Sequence, residues 1–180
     1  MHDLWLNSPN SGAELLREGS YRILKKLGID DRELAAQASQ AYYRTWVSHL
    51  KLFSEVPEVL AALRGQYRLG IISNGPSDLQ RYKLKLFDLE REFDPIVISG
   101  EIGVAKPDQK IFRYALERAG VSPEEALYVG DSPVYDIVGA KGAGMMMAWV
   151  NRAKTPLENL DPEPDYVTQD LSSLLLILAS

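Results

Sequence analysis

The sequence predicts an α/β protein: a doubly wound, Rossmann-like parallel sheet beside a small N-terminal helical cap. From residue 57 onward, short apolar runs alternate with amphipathic stretches of helical length. Strands joined by helices form parallel sheets with right-handed crossovers. Before residue 57 the apolar residues recur only at helical spacing. We therefore expect a small helical cap over residues 11–54 and an α/β core over residues 55–180.

Two amphipathic helices are predicted in the cap. Apolar residues recur at helical spacing over residues 11–27, and Gly28 is placed to end the first helix. Asp30 or Asp31 is expected to cap a second helix, which continues through Trp46. Four aromatic side chains are expected to pack in the interior rather than to contact a substrate: Tyr42, Tyr43, Trp46 and Phe53.

The core is predicted to contain five strands separated by helices. The strands are expected at residues 68–73, 95–99, 127–129, 145–150 and 165–167. The helices are expected at residues 57–63, 77–87, 108–119 and 135–142, with a terminal helix around the apolar run 174–179.

Composition and charge argue against several kinds of partner and active site. The 180 residues are 46% hydrophobic and 25% charged, which is typical of one folded domain. A net charge of −5 without a basic patch argues against nucleic-acid and membrane partners. The absence of cysteine excludes a disulfide framework, a thiolate nucleophile and cysteine-bound zinc, and it fits a cytoplasmic protein. No signal peptide opens the sequence, and we expect a monomer or a homodimer.

Polar residues follow three of the predicted strands. Ser73-Asn74-Gly75 ends the first, Lys106 follows the second, and Asp131 and Asp136 follow the third. Ligands bind beyond the carboxyl ends of the strands in open α/β sheets, so these groups are expected to converge. Each alone has an ordinary explanation: a turn serine, a solvated lysine, a helix cap or a first-turn acid. Their order on successive strands favours a Mg²⁺ site that serves phosphoryl transfer.

The same segments resemble the haloacid dehalogenase superfamily of hydrolases, most of whose members are Mg²⁺-dependent phosphatases. IISNG at 71–75 is similar to the second motif of that family, AKPD at 105–108 to the third, and VGDSPVYD at 129–136 to the fourth. The resemblance extends over about residues 55–170. It is strongest to the pyrimidine 5′-nucleotidase and N-acylneuraminate-9-phosphatase groups.

The resemblance implies a role for each site residue. Ser73 would bind a phosphoryl oxygen, Asn74 and Gly75 would contribute to phosphate binding, and Lys106 would balance charge beside a nucleophilic aspartate. Asp131 would hold Mg²⁺, and Asp136 would support the metal or Lys106. The implied substrate is a small phosphorylated metabolite, hydrolysed through an aspartyl-phosphate.

The first family motif, D-x-D-G-T, is not present in this form. Residues 3–11 (DLWLNSPNS) align with it at Asp3, the candidate nucleophile, while Trp5 stands at the position of the second aspartate. Only two residues precede Asp3, too few for the central strand of the sheet. We consider three explanations: the reading is truncated, neighbouring strands close the gap, or a partner supplies an edge.

Two further functions remain open. A 2-haloacid dehalogenase needs the nucleophile but no metal, and the Ser-Asn-Gly triplet favours it mildly. A catalytically inactive or truncated family member would bind phosphate ligands or a protein partner, which Trp5 supports.

Overall fold

The computed structural model describes residues 11–156 and 161–179. Asp3, the candidate nucleophile, therefore lies outside the described residues. The expected α/β architecture with parallel sheets is confirmed.

The first two helices form where local capping signals occur. Helix α1 spans Gly12–Lys26 and is capped by Ser11, whose side chain accepts a hydrogen bond from the Glu14 N–H. Gly28 follows with φ of +80°, a conformation that side-chain-bearing residues adopt with strain. Helix α2 spans Arg32–His49, and of the two candidate caps Asp31 accepts from the Leu34 N–H.

The core elements alternate along the chain as predicted. They are α3 (Val56–Leu63), β1 (Ile71–Ser73), α4 (Ser77–Leu86), β2 (Ile96–Ile98), α5 (Ser99–Ile102), α6 (Gln109–Ala119), β3 (Leu127–Gly130), α7 (Val138–Gly142), β4 (Met146–Val150), β5 (Tyr166–Thr168) and α8 (Leu174–Leu178). A 3-10 turn at Pro123–Glu125 precedes β3, and a π-helical turn at Pro133–Ile137 precedes α7.

The five strands form two separate parallel sheets. β1 pairs with β2, and β3, β4 and β5 pair in that order. In the part of the chain that the structure describes, β1 and β3 are not paired with each other. The neighbouring strands therefore do not close the gap that the missing first strand was expected to leave.

One hydrophobic cluster is shared by both sheets. Helix α6 supplies fully buried Ile111 and Phe112, and the Phe112 ring meets the Tyr128 ring of β3 edge-on at 5.0 Å. Val97 of β2 belongs to the same cluster, and Ile72 of β1 packs against it. The two sheets are thus halves of a single core rather than separate domains.

Two predicted elements are present with a different start or helix type, and one packing prediction was wrong. The first strand begins at Ile71, not at residue 68, because Pro95 stands opposite the preceding residues and has no N–H to donate. The helix predicted over 135–142 opens as a π-helical turn, in which the Ile137 N–H reaches the Ser132 carbonyl. Of the four cap-region aromatics, Tyr42 and Phe53 are exposed at 59% and 56%, so they do not pack in the interior.

Candidate functional site

Lys106 is fixed at both its main chain and its side chain. Its backbone N–H donates to Asn74 Oδ1 at 2.8 Å, and its carbonyl accepts from Asn74 Nδ2 at 2.9 Å. Its ammonium donates to Asp136 Oδ1 at 2.7 Å and to the Tyr128 hydroxyl at 3.0 Å. Asn74 follows β1 and Tyr128 lies in β3, so Lys106 connects the ends of the two sheets.

Asp136 is a buried carboxylate whose two oxygens both have partners. Its Oδ1 accepts from Lys106 and, at 3.1 Å, from the Tyr128 hydroxyl. Its Oδ2 accepts from the backbone N–H groups of Asp131 at 3.1 Å and Ser132 at 2.9 Å. The residue is 2% exposed, and a burial this deep requires such pairing. Between the two roles predicted for Asp136, this geometry corresponds to support of Lys106.

Asp131 lies in a different environment from the buried Asp136. Its side chain is exposed, and its carboxylate has no hydrogen-bond or ion-pair partner among residues 11–156 and 161–179. Its main chain is held in place, because the Trp149 indole N–H donates to the Asp131 carbonyl at 3.0 Å. Asp131 is therefore a positioned acid with a free carboxylate.

Ser73 and Gly75 line the adjacent strand end. The Ser73 hydroxyl donates to Gln80 Oε1 at 2.9 Å, so it must rotate before it can donate to a ligand. The Gly75 N–H donates to the buried Ser99 hydroxyl at 2.9 Å. A Cβ on Gly100 would lie 2.7 Å from the Gly75 carbonyl oxygen, which shows how closely the two backbones approach.

Tyr128 was missed by the sequence reading, where it counted only as an apolar strand residue. Burial, followed by the charge of Asp136, raises the pKa of the Tyr128 phenol well above its ordinary value. The phenol is therefore neutral at physiological pH and donates to Asp136 while it accepts from Lys106. A tyrosine eight residues before an aspartate carries no sequence signal for this contact, because the contact depends on the register of β3 and the turn after it.

The described residues fit a magnesium ion only in part. Mg²⁺ in phosphoryl-transfer sites is held by one or two carboxylates, several waters and the substrate phosphate. Asp131 offers one free carboxylate, but Asp136 has no unpartnered oxygen. No group of three His, Asp or Glu side chains is placed to hold a metal within residues 11–156 and 161–179.

A cavity of about 490 Å³ opens beside Asp131. Its wall includes Phe53, Trp149 and Arg152, and the Arg152 guanidinium lies 3.8 Å from the Phe53 ring centroid while it pairs with Glu55. Volumes of this size accommodate small-molecule ligands.

Comparison with known protein families shows which family this chain belongs to. The profile of the haloacid dehalogenase-like hydrolases matches residues 9–150, which include the cap helices as well as the three predicted motifs. The chain belongs to this family of hydrolases. The expected resemblance is thereby confirmed.

Curated relatives of this haloacid dehalogenase-like hydrolase include phosphatases and a nucleotidase. A phosphoserine phosphatase of Thermus thermophilus is 36% identical over 96% of this chain and 72% of its own length. A glyceraldehyde 3-phosphate phosphatase of Methanopyrus kandleri is 39% identical over 79% of this chain and 61% of its own length. The pyrimidine 5′-nucleotidase YjjG of Escherichia coli is 48% identical over 52% of this chain and 42% of its own length. The matched part of this chain spans between 42% and 72% of the length of these relatives.

Solved structures with the same fold include a magnesium-bound hydrolase and a dehalogenase. A putative hydrolase of this family, YfnB from Bacillus subtilis, in a structure bound to magnesium, superposes with a TM-score of 0.79 and 27% identity, over 99% of this chain and 77% of the other. A 2-haloacid dehalogenase from Pseudomonas syringae superposes with a TM-score of 0.70 and 30% identity, over 95% and 73% of the two chains.

None of the helices within residues 11–156 and 161–179 combines the length and apolar character needed to cross a membrane.

Proposed function

We propose that this chain carries the core of a Mg²⁺-dependent phosphatase that hydrolyses a small phosphomonoester through an aspartyl-phosphate. The observation that carries the proposal is Lys106. Its ammonium is held by Asp136 and Tyr128 at the sheet edge where Asp131 presents a free carboxylate. A fixed cation beside a free acid is what phosphoryl transfer needs, because the reaction gains mostly from positioning and charge neutralisation.

The residues have distinct proposed roles. An ammonium carries three protons, and Lys106 uses two of them on Asp136 and Tyr128, so the third is available to a phosphoryl oxygen. Asn74 positions Lys106 through its two hydrogen bonds to the Lys106 backbone. Ser73 would donate to a phosphoryl oxygen after it leaves Gln80.

The metal would be held by Asp131, together with water and substrate oxygens. When bound, Mg²⁺ would neutralise charge on the phosphoryl group. Asp136 would contribute indirectly, because its Oδ2 accepts from the Asp131 N–H and thereby fixes the backbone that carries the ligand. Asp3 remains the candidate nucleophile.

The names of the relatives support a phosphorylated metabolite as the substrate class. The cavity beside Asp131 is large enough for the organic part of such a molecule. The relatives' substrates range from an amino-acid phosphate to a nucleotide, so the substrate is proposed here only as a class.

Hydrolysis of 4-nitrophenyl phosphate tests the function. We expect Mg²⁺-dependent release of nitrophenolate that falls at least about a hundredfold in Asp131→Asn. Glu117→Gln, which changes an exposed carboxylate near the end of α6, is the matched control and should retain full activity. Mg²⁺-dependent turnover that survives Asp131→Asn would contradict the metal assignment. Intact-protein mass spectrometry should show one added phosphoryl group, mapped to Asp3 in peptide digests.

A second candidate is a 2-haloacid dehalogenase, which the Pseudomonas syringae structure favours. Halide release from 2-chloropropionate without Mg²⁺, in a preparation that does not hydrolyse the aryl phosphate, would select it. If the chain binds Mg²⁺ and inorganic phosphate but turns over neither substrate, it is a non-catalytic family member.

A further inference from the structure

Lys106, Tyr128 and Asp136 form a closed triangle of polar atoms. The Lys106 ammonium lies 2.7 Å from Asp136 Oδ1 and 3.0 Å from the Tyr128 hydroxyl. The hydroxyl lies 3.1 Å from the same carboxylate oxygen. Tyr128 belongs to β3 and Asp136 to the π-helical turn that follows. The ammonium is therefore held from two directions by side chains of two different elements.

The two acceptors of the triangle affect the ammonium differently. The Asp136 carboxylate supplies the opposite charge, and one charge-assisted hydrogen bond is enough to engage it. An ammonium with one partner can still swing about that bond, because lysine ends in a flexible chain with three rotatable donors. A second acceptor in another direction removes this freedom. The Tyr128 hydroxyl is that acceptor, so it determines where the third proton of Lys106 points.

The Tyr128 ring is itself held in place by the hydrophobic core. The Phe112 ring meets it at 5.0 Å with an interplanar angle of 72°. Phe112 is fully buried, and a Cβ on Gly139 of α7 would lie 2.2 Å from its ring, so α7 packs closely against it. Side chains packed at this density stay in one rotamer. The position of the Tyr128 hydroxyl therefore follows from the packing between β3, α6 and α7.

Burial leaves the orientation of the ammonium to the protein rather than to solvent. The side chains of Lys106 and Asp136 are 13% and 3% exposed. Burial also keeps the Tyr128 phenol neutral, since it raises the pKa of this group well above its ordinary value. A neutral phenol carries one proton and two lone pairs, so it accepts from Lys106 while it donates to Asp136. All three members of the triangle are thus satisfied by one another.

We propose that Tyr128 is a positioning residue for the hydrolysis: its hydroxyl restrains the Lys106 ammonium so that the third proton is directed at the phosphoryl group. The inference rests on the proposed function, in which that proton binds a phosphoryl oxygen. Tyr128 acts through Lys106 and not on the substrate itself. Phosphoryl transfer depends on positioned charge, so a misdirected donor lowers the rate of the chemical step more than it weakens substrate binding.

Tyr128→Phe removes the hydroxyl and keeps the ring that packs on Phe112. In Mg²⁺-dependent hydrolysis of 4-nitrophenyl phosphate we expect kcat to fall at least about tenfold, while KM changes less than about twofold. Tyr67→Phe is the matched control, because it removes an exposed hydroxyl that donates to the Leu178 carbonyl at 3.2 Å. It should change neither constant. A role of Tyr128 in stability alone would lower the melting temperature and leave kcat unchanged at temperatures where the variant is folded.

Nuclear magnetic resonance of the lysine ammonium groups measures the positioning without any turnover. The Lys106 signal of the full, ¹⁵N-labelled chain is identified by its loss in Lys106→Arg. We expect the order parameter of the Lys106 Cε–Nζ bond to fall by at least about a third in Tyr128→Phe. The Lys141 ammonium, which lies 2.8 Å and 2.9 Å from the two oxygens of Asp165, is the internal control and should not change.

An unchanged Lys106 order parameter in Tyr128→Phe would overturn the inference, and so would a lower order parameter with unchanged kcat. If Tyr128→Phe does not fold, the wild-type chain decides: the order parameter of Lys106 should exceed that of Lys141, whose two contacts reach a single carboxylate. An equal or lower value would overturn the inference. If the wild-type chain hydrolyses no phosphate ester but the Lys106 order parameter falls as expected, the proposed function fails, whereas the restraint of Lys106 by Tyr128 stands.

Discussion

Replacement of Asp136 by asparagine tests the buried ion pair at the centre of the site. The substitution keeps the shape of the side chain and removes its charge. The amide oxygen can still accept from the N–H groups of Asp131 and Ser132. The amide nitrogen then faces Lys106, which is also a donor, so the Lys106 ammonium loses its anionic partner.

The expected cost follows from burial. The Lys106 side chain is 13% exposed and that of Asp136 is 3% exposed, so water replaces the lost carboxylate poorly. Removal of one member of a buried ion pair costs about 3–5 kcal/mol. We expect this loss in the free energy of unfolding from urea titration, with a melting temperature lower by about 10 °C.

Two comparisons make the result decisive. Asp94→Asn removes an exposed carboxylate, 77% accessible, from its ion pair with Arg68, and should cost less than about 1 kcal/mol. In the double variant with Lys106→Met neither charge remains, so its cost should fall short of the sum of the single costs by at least about 2 kcal/mol. A cost below about 1 kcal/mol for Asp136→Asn, or additive single costs, would refute the reasoning.

Three further predictions follow from the same structure. Gly130→Ala places a Cβ 2.5 Å from the fixed Asp136 carboxylate and should destabilise the protein by about 1–3 kcal/mol in thermal unfolding. A Cβ at Gly19 would meet no heavy atom within 4 Å, so Gly19→Ala should stabilise α1 by about 0.5–1 kcal/mol. Equal effects of the two substitutions would contradict the packing argument. The hydrogen bond from Arg81 lowers the pKa of Glu101. The stabilisation of the folded state by this hydrogen bond is therefore present above the ordinary glutamate pKa and is lost as the pH falls through the lowered pKa. Glu101→Gln should therefore cost about 0.5 kcal/mol at neutral pH and nothing in acid, as urea titrations at both pH values would show. Arg152→Met removes the ion pair with Glu55 and the contact with the Phe53 ring, and should lower the midpoint of urea unfolding by an amount equivalent to about 1–2 kcal/mol.

The features of the fold that the sequence predicts depend on interactions between residues that are close along the chain. Ser11 and Asp31 cap helices because each accepts from an N–H three residues away. Gly28 ends α1 because it adopts a positive φ. The alternation of strands and helices is a property of the sequence pattern, and it predicted the parallel sheets.

The parts that sequence could not give depend on contacts between distant residues. Asn74 holds Lys106 across 32 positions, and no local pattern records that pairing. The same holds for Tyr128, whose hydroxyl meets Lys106 from 22 positions away. Phe53 resembles a core residue by type, yet its exposed ring serves as the surface on which Arg152 lies. The assignments of Ser73, Asp131 and Asp136 to substrate and metal remain predictions.

The paired hydrogen bonds between Asn74 and Lys106 have a mechanical consequence. They hold the Lys106 backbone at the end of the β1–β2 sheet, while the Lys106 ammonium contacts Tyr128 of β3 and Asp136 of the turn after β3. A change in the spacing of the sheets must therefore move the ammonium, and a displacement of the ammonium must strain the spacing. Lys106 therefore links the two sheets through its backbone and its ammonium, and the spacing of the sheets is coupled to the position of this charge.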